Sequence, residues 1–96
     1  MFEGLAKVIH DRNQKRPAGS YTTKLLEGGI DRILKKVGEE AGEVIIAAKN
    51  HSKEEIRWEV ADLMYHLLVM LELEGVGLDD VAGELAGRAK TMTEKK

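Results

Sequence analysis

Apolar residues recur along this chain at steps of three and four, the period of an amphipathic helix, so the pattern predicts an all-α protein. Phe2, Leu5, Val8 and Ile9 place a first helix over residues 2–14. Lys15 to Ser20, with the only proline (Pro17) and Gly19, breaks the pattern and reads as a loop. Thr22 or Thr23 is positioned to cap a short helix through Leu26, which Gly28-Gly29 stops. A long helix follows over 29–49, its stripe formed by Ile30, Ile33, Leu34, Val37, Ala41, Val44, Ile45 and Ala48. Lys36, Glu40 and Glu43 share one flank of that stripe, Glu39 points more directly away from the core, and Gly38 and Gly42 on the opposite flank leave room for another backbone. Asn50-His51 closes this helix, and Ser52-Lys53-Glu54-Glu55 is a capping box for the next. That third long helix runs to about Glu74 and ends at Gly75 and Gly77. Leu78-Asp79-Asp80 opens a last helix whose row Leu78, Val81, Ala82, Leu85 and Ala89 suits it to cover one side of a bundle; residues 91–96 are expected to fray.

The helix after Ser52 differs from the others. From Ile56 to Leu73 it is apolar almost all round, which marks a helix that needs cover on every side. Four helices of this size cannot supply that cover, so the chain is expected to dimerise into a larger bundle with this helix at the seam. The exceptions to its apolar character are Glu59, Asp62 and His66, a thin polar stripe with Glu55 one turn earlier. Ionised acids buried without partners are too costly to leave unmatched, so something positive must meet them.

Composition narrows the classes. With 96 residues, 43% apolar and 33% charged, the chain is expected to form one soluble domain over 1–96 rather than a disordered segment. A net charge of −2 without a basic block argues against nucleic-acid binding. The apolar run Leu63 to Leu71 is too short to span a bilayer, and no secretory leader pattern opens the chain, so no membrane partner and a cytoplasmic location are expected. The absence of cysteine excludes disulfides and thiolate metal sites.

The chemistry lies in two acid pairs, Glu40/Glu43 and Glu59/Asp62, each spaced three apart on one helix face. The short connection at residues 50–52 favours antiparallel packing of the two helices, which brings all four together. At about 5 Å and an effective dielectric of ~20, each like-charge pair repels by roughly 3 kcal/mol. A divalent cation removes that penalty, and all-oxygen ligation selects magnesium, manganese or calcium over zinc. Lys36, Lys49, Lys24 and Arg12 are candidate cations for phosphate, a mixture suited to cleaving a phosphoanhydride. The plainer alternative is a dimeric helical interaction module whose acids pair with lysines. A di-iron bundle is disfavoured because no histidine follows a glutamate at Glu-x-x-His spacing. His66, Tyr65 and Trp58 read first as packed core residues. No Walker-type glycine loop occurs.

Taken together, Ser20-Tyr21-Thr22-Thr23-Lys24-Leu25, Lys36-Val37-Gly38-Glu39-Glu40-Ala41-Gly42-Glu43, Ala48-Lys49-Asn50 and Glu59 to Leu68 closely resemble the phosphoribosyl-ATP pyrophosphatases, MazG-like all-α enzymes of histidine biosynthesis. The acid pairs carry the wider superfamily; the Ser-Tyr-Thr segment and the Asp-Leu-Met-Tyr-His-Leu-Leu run carry this member. The resemblance implies hydrolysis of phosphoribosyl-ATP to phosphoribosyl-AMP and pyrophosphate, a magnesium-activated water attacking the α–β phosphoanhydride. It implies that Glu40, Glu43, Glu59 and Asp62 hold Mg2+, with Glu39 a further ligand or water-orienting base. Lys36, Lys49 and Lys24 would neutralise the leaving pyrophosphate, although Lys49 faces away from the acid flank. Ser20, Tyr21, Thr22 and Asn50 would contact substrate, and Arg88 would reach a phosphate from the last helix. Length and the lack of cysteine resemble the stand-alone form rather than the fusion to the next enzyme of the pathway. The alternative enzyme is a MazG-like house-cleaning pyrophosphatase acting on (deoxy)nucleoside triphosphates.

Overall fold

Capping residues decide where each helix of the computed structural model, which describes residues 2–94, begins and ends. Helix α1 (Glu3–Lys15) stops as Arg16 turns left-handed. Helix α2 (Tyr21–Lys49) is capped by Ser20, whose hydroxyl accepts from the Thr23 N–H at 3.3 Å. The cap is therefore Ser20, not Thr22 or Thr23. Helix α3 (Lys53–Glu74) starts at Ser52, which accepts from the Glu55 N–H at 3.2 Å, as the capping box predicts. It ends at Gly75, whose φ of 69° lets its N–H turn back to Leu71 and Glu72. Helix α4 (Leu78–Glu94) continues through residues 91–94, where fraying was expected; residues 95–96 lie outside the described residues.

The expected stop at Gly28-Gly29 is a break within α2, with Gly29 at φ 80°. Its consequence is long-range. At 1.5 Å per residue a straight α2 would put Tyr21 about 43 Å from the turn at Asn50, whereas His66 is only about 21 Å up α3 from Ser52. Yet the Tyr21 hydroxyl lies 3.2 Å from His66 Nε2. The break folds the first two turns of α2 back along the bundle, and an L-residue at that φ would be strained.

Ile9, Leu25, Leu26, Ile33, Leu68 and Val69 form the buried core among α1, α2 and α3. At the far end of α3, Glu72 ties α1 down by accepting from Asn13 Nδ2 at 2.7 Å and facing His10 Nδ1 at 3.0 Å. Helix α4 buries none of its described residues. Its apolar row does not close over the bundle as expected, but forms one wall of an apolar groove of about 440 Å³ shared with Phe2, Met64, Leu67 and Leu71. Nor is α3 covered on all sides: Trp58 and Met64 are exposed, as are Ile45 and Ile46 on α2. A Cβ at Gly38 or Gly42 would meet nothing within 4 Å, so no backbone among the described residues uses the room they leave.

Candidate active site

The chain reverses between α2 and α3 at Asn50, His51 and Ser52, with His51 at φ 55°. Glu43 stands seven residues before Asn50 and Glu59 seven after Ser52; Glu40 and Asp62 are each ten away. Two antiparallel helices with equal rise therefore bring the two pairs to the same level. One carboxylate oxygen each from Glu40, Glu43 and Glu59 lies within 4.8 Å of the others. Asp62 is not in that tight group but faces it closely enough for its charge to act on Glu40 and Glu59.

Electrostatics make this group unusual. Glu40 is buried, and burial raises its carboxyl above the usual carboxylate range, with the charges of Glu43 and Asp62 adding to the effect. Glu59 is pushed up to about 7, first by a carboxyl–carboxyl hydrogen bond with Glu43, then by desolvation and the neighbouring acids. That bond needs a proton. With both groups ionised neither has one to give, and Oε2 of Glu59, like Oε2 of Glu40, is buried without a hydrogen-bond partner. Among the described residues no lysine or arginine forms an ion pair with any of the four acids. Buried, unmatched oxygens of one sign within a few ångströms of each other suit a hard divalent cation.

Beside them lies a concavity of about 400 Å³ lined by Glu43, Ile46, Asn50, Glu55, Trp58 and Glu59. Asn50 is thus placed next to the acids. Trp58, assigned above to the core, is instead about half exposed at this rim. Its position one residue before Glu59 and three after Glu55 was the signal for that placement.

His66 is buried, with Nδ1 2.8 Å from the Asp62 carbonyl oxygen and Nε2 on Tyr21, so it is a packed, hydrogen-bonded residue as expected. Tyr65 packs on the core and pairs its hydroxyl with Thr22 Oγ1. The Ser20–Thr22 segment therefore sits one helical turn from Asp62.

Other expected residues are not gathered here. Lys36 Nζ lies 4.0 Å from Glu39 Oε1, and both line a separate concavity with Asp31, Arg32 and Lys35. Lys24 and Lys49 are exposed. Arg88 is on α4, 3.4 Å from Glu84 and on a surface that includes none of the four acids.

Comparison with known proteins identifies the family. The chain is 57% identical to the phosphoribosyl-ATP pyrophosphatase of Pelotomaculum thermopropionicum, over 92% of this chain and 90% of the relative. It is 47% identical to the phosphoribosyl-ATP pyrophosphatase of Clostridium botulinum, over 100% of this chain and 87% of the relative. It is 54% identical to the histidine biosynthesis bifunctional protein HisIE of Bacillus subtilis, over 94% of this chain but only 43% of that longer relative. The sequence model of the phosphoribosyl-ATP pyrophosphohydrolase family matches residues 2–89, nearly the whole chain, and the chain belongs to that family.

Proposed function

We propose that this chain is a phosphoribosyl-ATP pyrophosphatase, releasing pyrophosphate and phosphoribosyl-AMP at a Mg2+ site formed by Glu40, Glu43, Glu59 and Asp62. Family membership and the near-full-length relatives support the reaction. The observation that carries the site is the pair of buried carboxylate oxygens, on Glu40 and Glu59, that have no hydrogen-bond partner among the described residues. Bound there, magnesium would neutralise phosphate charge and lower the pKa of a coordinated water.

The protein's own residues divide the remaining work. Glu39, exposed beside Glu40, is free to approach substrate as a water-orienting base or further ligand. Lys36, Lys24 and Lys49 provide mobile positive charge for the departing pyrophosphate. Ser20, Tyr21 and Thr22, held one turn beyond Asp62, and Asn50 at the opposite rim bracket the nucleotide. Arg88 stays engaged with Glu84 on α4, so its assignment to a phosphate rests on the family resemblance alone.

A second copy of the chain is the partner we infer for the open apolar surface. Ile45, Ile46, Trp58 and Met64 are exposed, and the groove between α3 and α4 is lined by apolar side chains, which is the kind of surface a second copy would cover. No described helix is long and apolar enough to cross a membrane, which suits the cytoplasmic location expected of this pathway.

One assay tests the reaction: pyrophosphate release from phosphoribosyl-ATP against a panel of ordinary nucleoside triphosphates, with and without magnesium. The expected result is metal-dependent release from phosphoribosyl-ATP alone. Preference for the panel would favour a house-cleaning pyrophosphatase. No metal-dependent turnover would leave a helical interaction module.

A further inference from the structure

Tyr21 and Thr22 are held on α3 by two neighbouring residues, Tyr65 and His66, that neither the acid cluster nor the phosphate-binding cations account for. The tautomer of His66 follows from its partners. Nδ1 lies 2.8 Å from the main-chain carbonyl of Asp62, and a carbonyl only accepts, so Nδ1 carries the proton. At its other nitrogen, Nε2, the ring meets the Tyr21 hydroxyl at 3.2 Å. Next to it the Tyr65 and Thr22 hydroxyls pair. The rings reinforce this arrangement: Tyr21 stacks on Tyr65 at 6.2 Å and 24°, and Tyr65 meets His66 edge-on at 5.1 Å.

This latch lies across the break in α2 at Gly29. Gly29 carries a left-handed φ and nothing lies within 4 Å of where its Cβ would be, so its own surroundings do not fix the direction of the folded-back arm. Leu25 and Leu26 bind that arm to the core through non-directional apolar contact. The directional contacts are the two hydroxyl pairs, and one of them runs through His66 to the backbone of Asp62.

We propose that Tyr65 and His66 are positioning residues that set the Ser20–Thr22 segment in register with the acid cluster, so that substrate held by that segment meets the metal-binding carboxylates. This rests on the reading of Ser20, Tyr21 and Thr22 as substrate contacts.

The full chain is the test object, with Tyr65→Phe, Thr22→Val, the double variant and Tyr21→Phe. Tyr65→Phe keeps the packed ring and removes only the hydroxyl, so it stays informative where a His66 substitution fails to fold. It is expected to raise KM for phosphoribosyl-ATP about fivefold, the equivalent of one ordinary hydrogen bond, with kcat within twofold. The double variant is expected to raise KM no further than Thr22→Val alone. Amide exchange over residues 20–25 should quicken in Tyr65→Phe and Tyr21→Phe, while apparent magnesium affinity stays unchanged. An unaltered KM in Tyr65→Phe, additive effects in the double variant, or a shift in magnesium affinity would overturn the proposal. Faster exchange without a KM change would also overturn it, because the latch would then be structural only. Failure of the underlying functional reading looks different: the unsubstituted protein itself would release no pyrophosphate from phosphoribosyl-ATP.

Discussion

Two polar constellations share α3, centred about two turns apart on Glu59 and His66, and they are built on opposite principles. Around His66 both ring nitrogens are engaged, the facing hydroxyls are paired, and the rings pack against one another. Around Glu59 the neighbours are acids, and one oxygen each of Glu59 and Glu40 is buried without a hydrogen-bond partner. Burial of a polar side chain says little about function by itself, since His66 is more deeply buried than Glu59. What separates the two regions is satisfaction. A satisfied network adds to stability, whereas an unsatisfied one is tolerated only where a ligand completes it.

The sharpest way to break that contrast is to neutralise an acid without changing its shape. Asp62→Asn and Glu40→Gln are each expected to lower kcat/KM by about a hundredfold or more, since each removes charge from the metal-binding group. The metal-free proteins should melt at the same temperature as the parent or higher, because a like-charge repulsion is gone. Parallel measurement of turnover and of Tm decides it. Retained turnover in Asp62→Asn would count against its place among the ligands, and a large fall in Tm would mean the acids are structural after all.

Much of this was legible beforehand because it depends on local spacing. Helical periodicity placed α1 and α3 to within a residue or two, and the Ser52 box marked the start of α3. The short connection after Asn50 implied antiparallel packing, and equal counting from that turn puts Glu43 level with Glu59. What escaped were effects of geometry over distance. Gly28-Gly29 reads as a stop, and nothing in a helical wheel says that the arm beyond it folds back onto Tyr65 and His66. Lys36 falls on the acid flank of an ideal wheel, yet its long side chain settles beside Glu39, one turn along and facing solvent. Trp58 looked like core by composition, but a single chain leaves it exposed beside the acids.

The comparison also makes a pH prediction whose sign is fixed by Glu59. Its folded-state pKa, about 7, lies above the ordinary carboxylate value of 4.5, so the folded metal-free chain keeps a proton that the unfolded chain gives up. The stability linked to that proton is complete below the unfolded value and is lost as pH rises through the folded one. The Tm of the metal-free protein should therefore fall between about pH 4.5 and 7, and Glu59→Gln should flatten that fall. Magnesium affinity should move the other way. Below pH 7 binding must displace the proton, so affinity should rise about tenfold per pH unit and then level off. Calorimetric titration in buffers of different ionisation enthalpy would register the released proton, and a pH-independent affinity would remove Glu59 from the ligand set.

The smallest expected effect uses two serines with the same local chemistry. Ser20 and Ser52 are both helix N-caps, accepting from a backbone N–H at 3.3 and 3.2 Å. Replacing either by alanine should cost about 1 kcal/mol of stability, the usual value for a lost cap. For a chain of this length that is a fall of roughly 4–8 °C in Tm. Stability alone thus does not tell them apart. Ser52 only starts α3 and lies at the turn, so Ser52→Ala should leave KM for phosphoribosyl-ATP unchanged. Ser20 precedes Tyr21 and Thr22 in the segment proposed to hold substrate, so Ser20→Ala should raise KM severalfold at the same loss of Tm. Equal kinetics in two equally destabilised proteins would show that Ser20 is a cap and nothing more, and the start of α2 would belong with the satisfied, purely structural half of the molecule.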